Sequence, residues 1–498
     1  MMLHSRGDAV TGQGRGSLCR VAGGALLLTA FVSLGAFELG AQQRFASSGS
    51  AEVAEVTFTR DVAPILQEKC VNCHRAGGGA PTSLETYESA SPWAPLIKYR
   101  TGLRDRPGAM PPWYVEKNIG IQQFKNDMSL SDDEVATIAA WADAGAPQGD
   151  PSDMPPPLEF DDSGEWAIRP DLVVRSEVFF MKGGAPDWWG EIEQIKIPLE
   201  EDRYVQAMQV RETNDVPQAG TGRVTVGGGD IVHHLTFMAV SDAERQGFVT
   251  HEIGRNEDYF DAKAGRLLPA NSELVSNSLH LHSNGGDTRA YLEIAFQLHP
   301  EGYEPEYRVR GLHGEVGVPG NTVDMDVPAN ETTVIHAFAV LDDPTKILSY
   351  EPHLHAPGVR SCMEAIWGSK AETLNCVGYD HTWVRTYNYA DDYMPLLPAG
   401  TILHMTAWMD NTAANPNVTR PENWMGGGNR SVANMFLELG QNIKLTDEQF
   451  LEEMKQRVEA LDLTKNDYVV GCPLCVSLIP PTMPKPADLM DDIAAGGR

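Results

Sequence analysis

The sequence predicts a multidomain fold, a small all-α domain followed by two all-β, jelly-roll-like sandwich domains. Three observations carry this. At 498 residues the chain exceeds one ordinary core, and roughly 150 residues per domain gives three. Residues 59–69 can form an amphipathic helix, and 132–144 form another, announced by Ser131 and Glu134 at capping-box spacing with Val135, Ile138 and Trp141 on one face. From about residue 166 the texture changes to short alternating runs such as 194–198, 231–240 and 291–298, separated by Gly, Pro, Asn and Asp, which is an all-β signature.

Taken in order, Arg15 and Arg20 precede an apolar run over 21–37, and Ala41 closes a small-residue stretch suited to cleavage. Residues 1–41 therefore read as a signal peptide, and the protein as periplasmic or otherwise exported. The run contains Gly23, Gly24, Ser33 and Gly35 and is short for a bilayer-spanning helix, so membrane contact is expected only if the segment stays uncleaved. A Ser/Gly/Ala-rich linker over 42–54 leads to the helical domain at 55–150. The Pro/Asp/Gly-rich stretch over 147–157 reads as a second linker, set at 151–165 between the domains. The β region divides into 166–315 and 316–498, because 314–328 contains no obvious long element. Thr446 and Gln449 form a second capping box for a helix over 446–461.

With 39 basic and 69 acidic side chains the formal net charge is -30, which repels phosphate backbones. Nucleic acid is excluded as an expected partner, and the acidity reads as a well-solvated surface.

Seven cysteines are present. Cys70-Val71-Asn72-Cys73-His74 has the spacing at which two thiols add to haem vinyl groups while the next histidine reaches the iron. On this reading 55–150 is a cytochrome c domain carrying one covalent haem. Met110, in Gly108-Ala109-Met110-Pro111-Pro112, is the expected sixth ligand, with Met128 as a competitor. Cys19 precedes the apolar run and leaves with the leader. Cys362 and Cys376 are equidistant from a turn around Ser369 and can face each other across two strands. Cys472 and Cys475 are placed for a tight local bridge, a thioredoxin-like or zinc role being the alternative.

Fourteen histidines are unevenly spread, with His233-His234, His280-Leu281-His282 and His353-Leu354-His355 clustered in the β region. On a strand, residues two apart share a face, so each His-x-His pair can hold one ion. Adjacent His233 and His234 point to opposite faces unless a bulge or strand end intervenes. The scattered His251, His299, His313, His336, His381 and His404 read as structural histidines. Imidazole with a thioether and no carboxylate partner favours copper over zinc or calcium.

These motifs carry a resemblance. Val232-His233-His234-Leu235, His280 to Gly285, Pro352-His353-Leu354-His355, Met409-Asp410-Asn411-Thr412 through Asn415-Pro416, and 428–435 are similar to the copper type II, ascorbate-dependent monooxygenases. That group includes peptidylglycine α-hydroxylating and dopamine β-monooxygenases, and the nearest likeness is to bacterial forms with an amino-terminal cytochrome c. The resemblance implies two mononuclear coppers, one per sandwich, facing each other across a solvent-filled cleft. His233, His234 and His280 match the electron-transfer copper, with His282 able to substitute for His280. His353, His355 and Met435 match the oxygen-binding copper, although Asn434 stands where that family usually has an acidic residue.

The implied activity is hydroxylation of a C–H bond with dioxygen, the second electron arriving through the tethered haem instead of from ascorbate. The expected partners are a small-molecule substrate, O2 and a periplasmic electron donor. Glu351, Leu437 and Leu439 occupy the positions that hold a substrate carboxylate in the peptide enzyme, so an uncharged, cationic or apolar substrate is expected. The alternative is a non-catalytic haem and copper electron carrier using the same ligands.

Overall fold

Strands run from Leu172 to Lys444 in the computed structural model, and helices are few and short. The structure describes residues 55–478 except 76–79, 81, 159–165, 167, 217–229, 253–256, 262, 277, 308, 312–324, 382 and 429–432. The expected leader and first linker, Cys19, His313 and most of the expected boundary near 315 lie outside the described residues. Among the described residues, no helix is long and apolar enough to cross a membrane.

Two six-stranded sheets are built from residues 172–298. In one, Leu172–Arg175, Thr288–Leu298, Arg203–Asn214 and Glu257–Tyr259 lie side by side. In the other the order is Trp188–Gly190, Leu279–Leu281, Val232–Val240, Glu273–Val275 and Ile195–Lys196. Alternation in these strands sends Met208, Val210, Leu235, Phe237, Ile294 and Phe296 into one shared core, and a register shift between Ala207 and Val205 brings Val205 into it as well. Each such large side chain contributes about 1.5–3 kcal/mol by leaving water.

Two four-stranded sheets follow. One orders Val309–Gly311, Gln441–Lys444, Thr345–Ile347 and Leu396–Leu397, and the other Thr332–Val340, Ile402–Asp410, Gly358–Trp367 and Lys370–Gly378. Cys362 sits directly opposite Cys376 in the ladder and the two are disulfide-bonded, as are Cys472 and Cys475. Asp447–Ala460 is a helix whose Thr446 and Gln449 form the capping box read from the sequence.

The expected fold class needs correction at its amino-terminal end: no separate all-α cytochrome c domain is evident over 55–150. The helices there are short, Ala63–Lys69, Tyr87–Ala90, Ala94–Gly102 and Asp132–Asp143, around a small cluster of Phe58, Val62, Leu66, Val71 and Trp141. Between them the chain leaves its helical neighbours and joins the second sandwich. Trp113, Val115, Ile121 and Phe124 belong to that sandwich's core. Lys370–Gly378 is a sheet edge whose backbone groups need partners, and this segment supplies them. Glu116 N–H donates to the Cys376 carbonyl at 2.9 Å and Ile121 N–H to Leu374 at 2.8 Å. Arg360 pairs with Glu116, and Trp113 packs edge-on against Tyr387 at 5.1 Å. The described residues from Glu55 onward accordingly form one compact unit.

Candidate metal centre

A bulge brings the first histidine pair together. His280 pairs with His234 and Leu281 with Val232, which leaves His233 as the extra residue of its strand. Both imidazoles therefore reach one side, Nδ1 to Nδ1 at 2.9 Å. His233, His234 and His280 offer ligand atoms that all lie within 4.8 Å of one another. Trp189 lies opposite His280 in the ladder and packs against His280 at 5.1 Å and His234 at 5.0 Å.

His280 Nε2 meets the Asp187 carboxylate at 2.9 Å. The carboxylate accepts the Nε2 proton, which turns the Nδ1 lone pair inward. That atom is buried without a hydrogen-bond partner among the described residues. An unsatisfied buried acceptor costs about 1–3 kcal/mol, and a metal ion would satisfy it. His282 differs from His280 in that its Nε2 is directed to the Asp230 carbonyl at 3.1 Å.

The second pair stands on Pro352–Leu354 and the residue after it, paired with Phe436–Glu438. His353 faces Leu437, and His355 and Met435 each adjoin the last pair, Leu354 with Phe436. Met435 is buried. Loop bonds hold this segment: Tyr379 donates to the Leu354 carbonyl and Asn415 Nδ2 to Ala356. Asn434, the departure noted in the sequence, donates to the Met325 carbonyl at 2.6 Å.

The two sets do not face each other across a cleft. His234 and His353 have ring centroids 5.3 Å apart, and His353 and His355 are 5.6 Å apart. Between the sets lies His381, 5.5 Å from His233 and 6.1 Å from His355, with a buried Nδ1 that has no hydrogen-bond partner among the described residues. Sequence reasoning missed His381 because it is a lone histidine beyond a strand end, with no periodic companion. Burial first, and neighbouring imidazoles second, push His233 and His234 well below the usual histidine range and His381 to about 4. All three are neutral near pH 7, the state in which imidazole ligates metal.

At the other candidate site, His74 Nδ1 is 2.8 Å from the Thr82 carbonyl, which leaves Nε2 available to a metal. Cys70 and Cys73 are unbonded, whereas Cys472 and Cys475 with the same spacing form a disulfide. Burial raises the Cys70 thiol to about 12. Met110 is 36% exposed on its loop. Met128 instead takes a contact from Arg385 at 3.8 Å. The Met110 loop reaches the histidine cluster: Gly108 N–H donates to the Asp380 carboxylate at 2.8 Å, next to His381.

Glu351 is buried and accepts the Thr386 hydroxyl at 2.7 Å, while Leu437 and Leu439 are half-buried. Its neighbour Glu438 accepts the Glu351 and Gly440 N–H groups, yet burial lifts its carboxyl to about 8. A carboxyl raised on folding contributes stability that is full below its unfolded value near 4.5 and lost as pH rises through about 8. Glu438→Gln keeps the accepting oxygen and removes the charge. Its thermal midpoint should exceed that of the parent at pH 9 and match it at pH 5; an equal difference at both values would contradict this account.

No family model matches the chain, and no curated protein does. Among solved structures, the major capsid protein P2 of bacteriophage PM2 aligns with 10% identity and a TM-score of 0.22, covering 47% of this chain and 97% of that one. The T13 IBDV viral particle protein aligns with 9% identity and a TM-score of 0.17, covering 57% and 73%. Vicilin from Corylus avellana (hazelnut) aligns with 9% identity and a TM-score of 0.10, covering 54% and 87%.

Proposed function

We propose that this chain is an exported copper-dependent monooxygenase that hydroxylates a C–H bond of a small substrate with dioxygen, in the manner of the copper type II, ascorbate-dependent enzymes. The observation that carries the reading is the convergence of His233, His234 and His280 with His353 and His355 in one buried cluster. The donors are imidazoles, with Met435 immediately before the adjoining strand Phe436–Glu438, a set suited to copper. Copper held there would supply one-electron redox chemistry and dioxygen activation, each turnover using two electrons and two protons to give one hydroxylated product and one water.

His233, His234 and His280 would hold one ion, with Asp187 fixing the His280 tautomer. His353, His355 and Met435 would hold the other, and Trp189 and the buried walls keep bulk water from both. Haem attached through Cys70 and Cys73 and ligated by His74 would supply a one-electron store for a periplasmic donor to fill. Glu351, Leu437 and Leu439 give the substrate approach no cationic group, which favours an uncharged or apolar substrate over a carboxylate.

Oxygen consumption by haem-matured, copper-loaded protein with a reductant tests this. Uptake should require copper, and one atom of labelled dioxygen should enter the product. Uptake unchanged by copper removal would overturn the proposal, and copper that cycles between redox states without any oxygen uptake would point to an electron carrier.

A further inference from the structure

Two of the histidines that read as isolated in sequence meet on an open sheet face. Thr332–Val340, Ile402–Asp410 and Gly358–Trp367 are adjacent strands, and their register sets His336 opposite Thr406, and both Phe338 and Glu364 opposite His404. His336 Nδ1 and His404 Nε2 are 2.9 Å apart. The Thr406 hydroxyl lies 3.4 Å from the first and 3.3 Å from the second. Neither imidazole belongs to the buried cluster described above.

We propose that this face is a further metal site, a solvent-accessible one for Zn²⁺. The geometry is that of a ligand set with its outer support in place. With metal–nitrogen bonds of about 2.0–2.1 Å, ligands around a tetrahedral ion stand about 3.3 Å apart. The three potential donor atoms already form a triangle with edges of 2.9, 3.3 and 3.4 Å. Only the two nitrogens have to open, by a few tenths of an ångström.

The Glu364 carboxylate, 2.7 Å from His404 Nδ1, accepts that proton and leaves Nε2 with its lone pair toward His336. A carboxylate behind a histidine in this way orients the ring and raises its basicity as a ligand. Thr373 donates to the other oxygen of Glu364 at 3.2 Å and so holds the carboxylate. Phe338 stacks on the His404 ring at 4.4 Å and 4°, fixing its plane. Val334, Phe338 and Val340, 46%, 60% and 56% exposed, project from the same strand face as His336 and form an apolar row along that strand. Two imidazoles and the hydroxyl leave the outward side to water, so the bound ion would exchange readily with solution.

Equilibrium dialysis of the full chain against Zn²⁺ tests the site. His336→Ala and His404→Ala should each lose one zinc equivalent relative to the parent at a concentration that saturates the parent, with the remaining metal retained. Glu364→Gln should weaken that equivalent by about 10–100-fold without changing the count at saturation. His336 is exposed, so its replacement leaves folding intact and carries the test even if His404→Ala misfolds. Equal zinc counts and affinities in the parent and His336→Ala proteins would overturn the proposal.

Discussion

Replacing His353 and His355 together by alanine is expected to remove about one of two copper equivalents and to abolish product formation. In the proposed sites these two residues are the imidazole donors of the second set, and Met435 alone would offer only a weak thioether. Loss of an outer-shell partner costs about 10–100-fold in affinity or activity, and loss of both imidazoles must exceed that. Metal counting per haem, with electron paramagnetic resonance of the oxidised protein, reads the outcome. A variant that keeps both equivalents would refute the assignment.

The packing adds a second expectation to this experiment. With His234 and His353 only 5.3 Å apart and His381 touching both sets, the ligand sets are not independent. Changes at contacting residues are non-additive. The copper that remains in the double variant should therefore show an altered spectrum, and His381→Ala should perturb both coppers instead of one. A His381→Ala protein with two unperturbed coppers would make that residue a mere filler between them.

Local signals were legible in the sequence and long-range placement was not. The Thr446/Gln449 and Ser131/Glu134 caps depend on residues three apart, and both formed as read. The Cys362–Cys376 bridge followed from equal spacing about a turn. His233 and His234 presented a real conflict, since strand periodicity sends neighbours to opposite faces; the bulge that resolves it arises from pairing with Leu279–Leu281, a partner distant in sequence. The same limit explains the amino-terminal error. Trp113 to Phe124 gave too short an alternation to register against the helices on either side, and its destination is a sheet edge more than two hundred residues away. His381, His336 and His404 likewise acquire meaning only when strand register gives them neighbours.

Converting Cys70 and Cys73 to alanine is expected to yield protein without covalent haem, seen as loss of the haem-stained band on a denaturing gel, because each thiol would form one thioether in the proposed haem site. Copper loading should persist, since no cysteine belongs to either histidine set. The informative readout is the source of electrons. The segment proposed to carry haem adjoins the cluster's own scaffold: the Gly108 amide is bonded to Asp380, whose neighbour His381 packs on His233. A route of this kind makes the protein's physiological donor dependent on haem while a small diffusible reductant is not. Product formation with the donor should fall to background in the double-cysteine variant and survive with ascorbate. Equal yield with the donor in both proteins would show that electrons enter the copper sites directly, and that the haem at Cys70 and Cys73 serves something else.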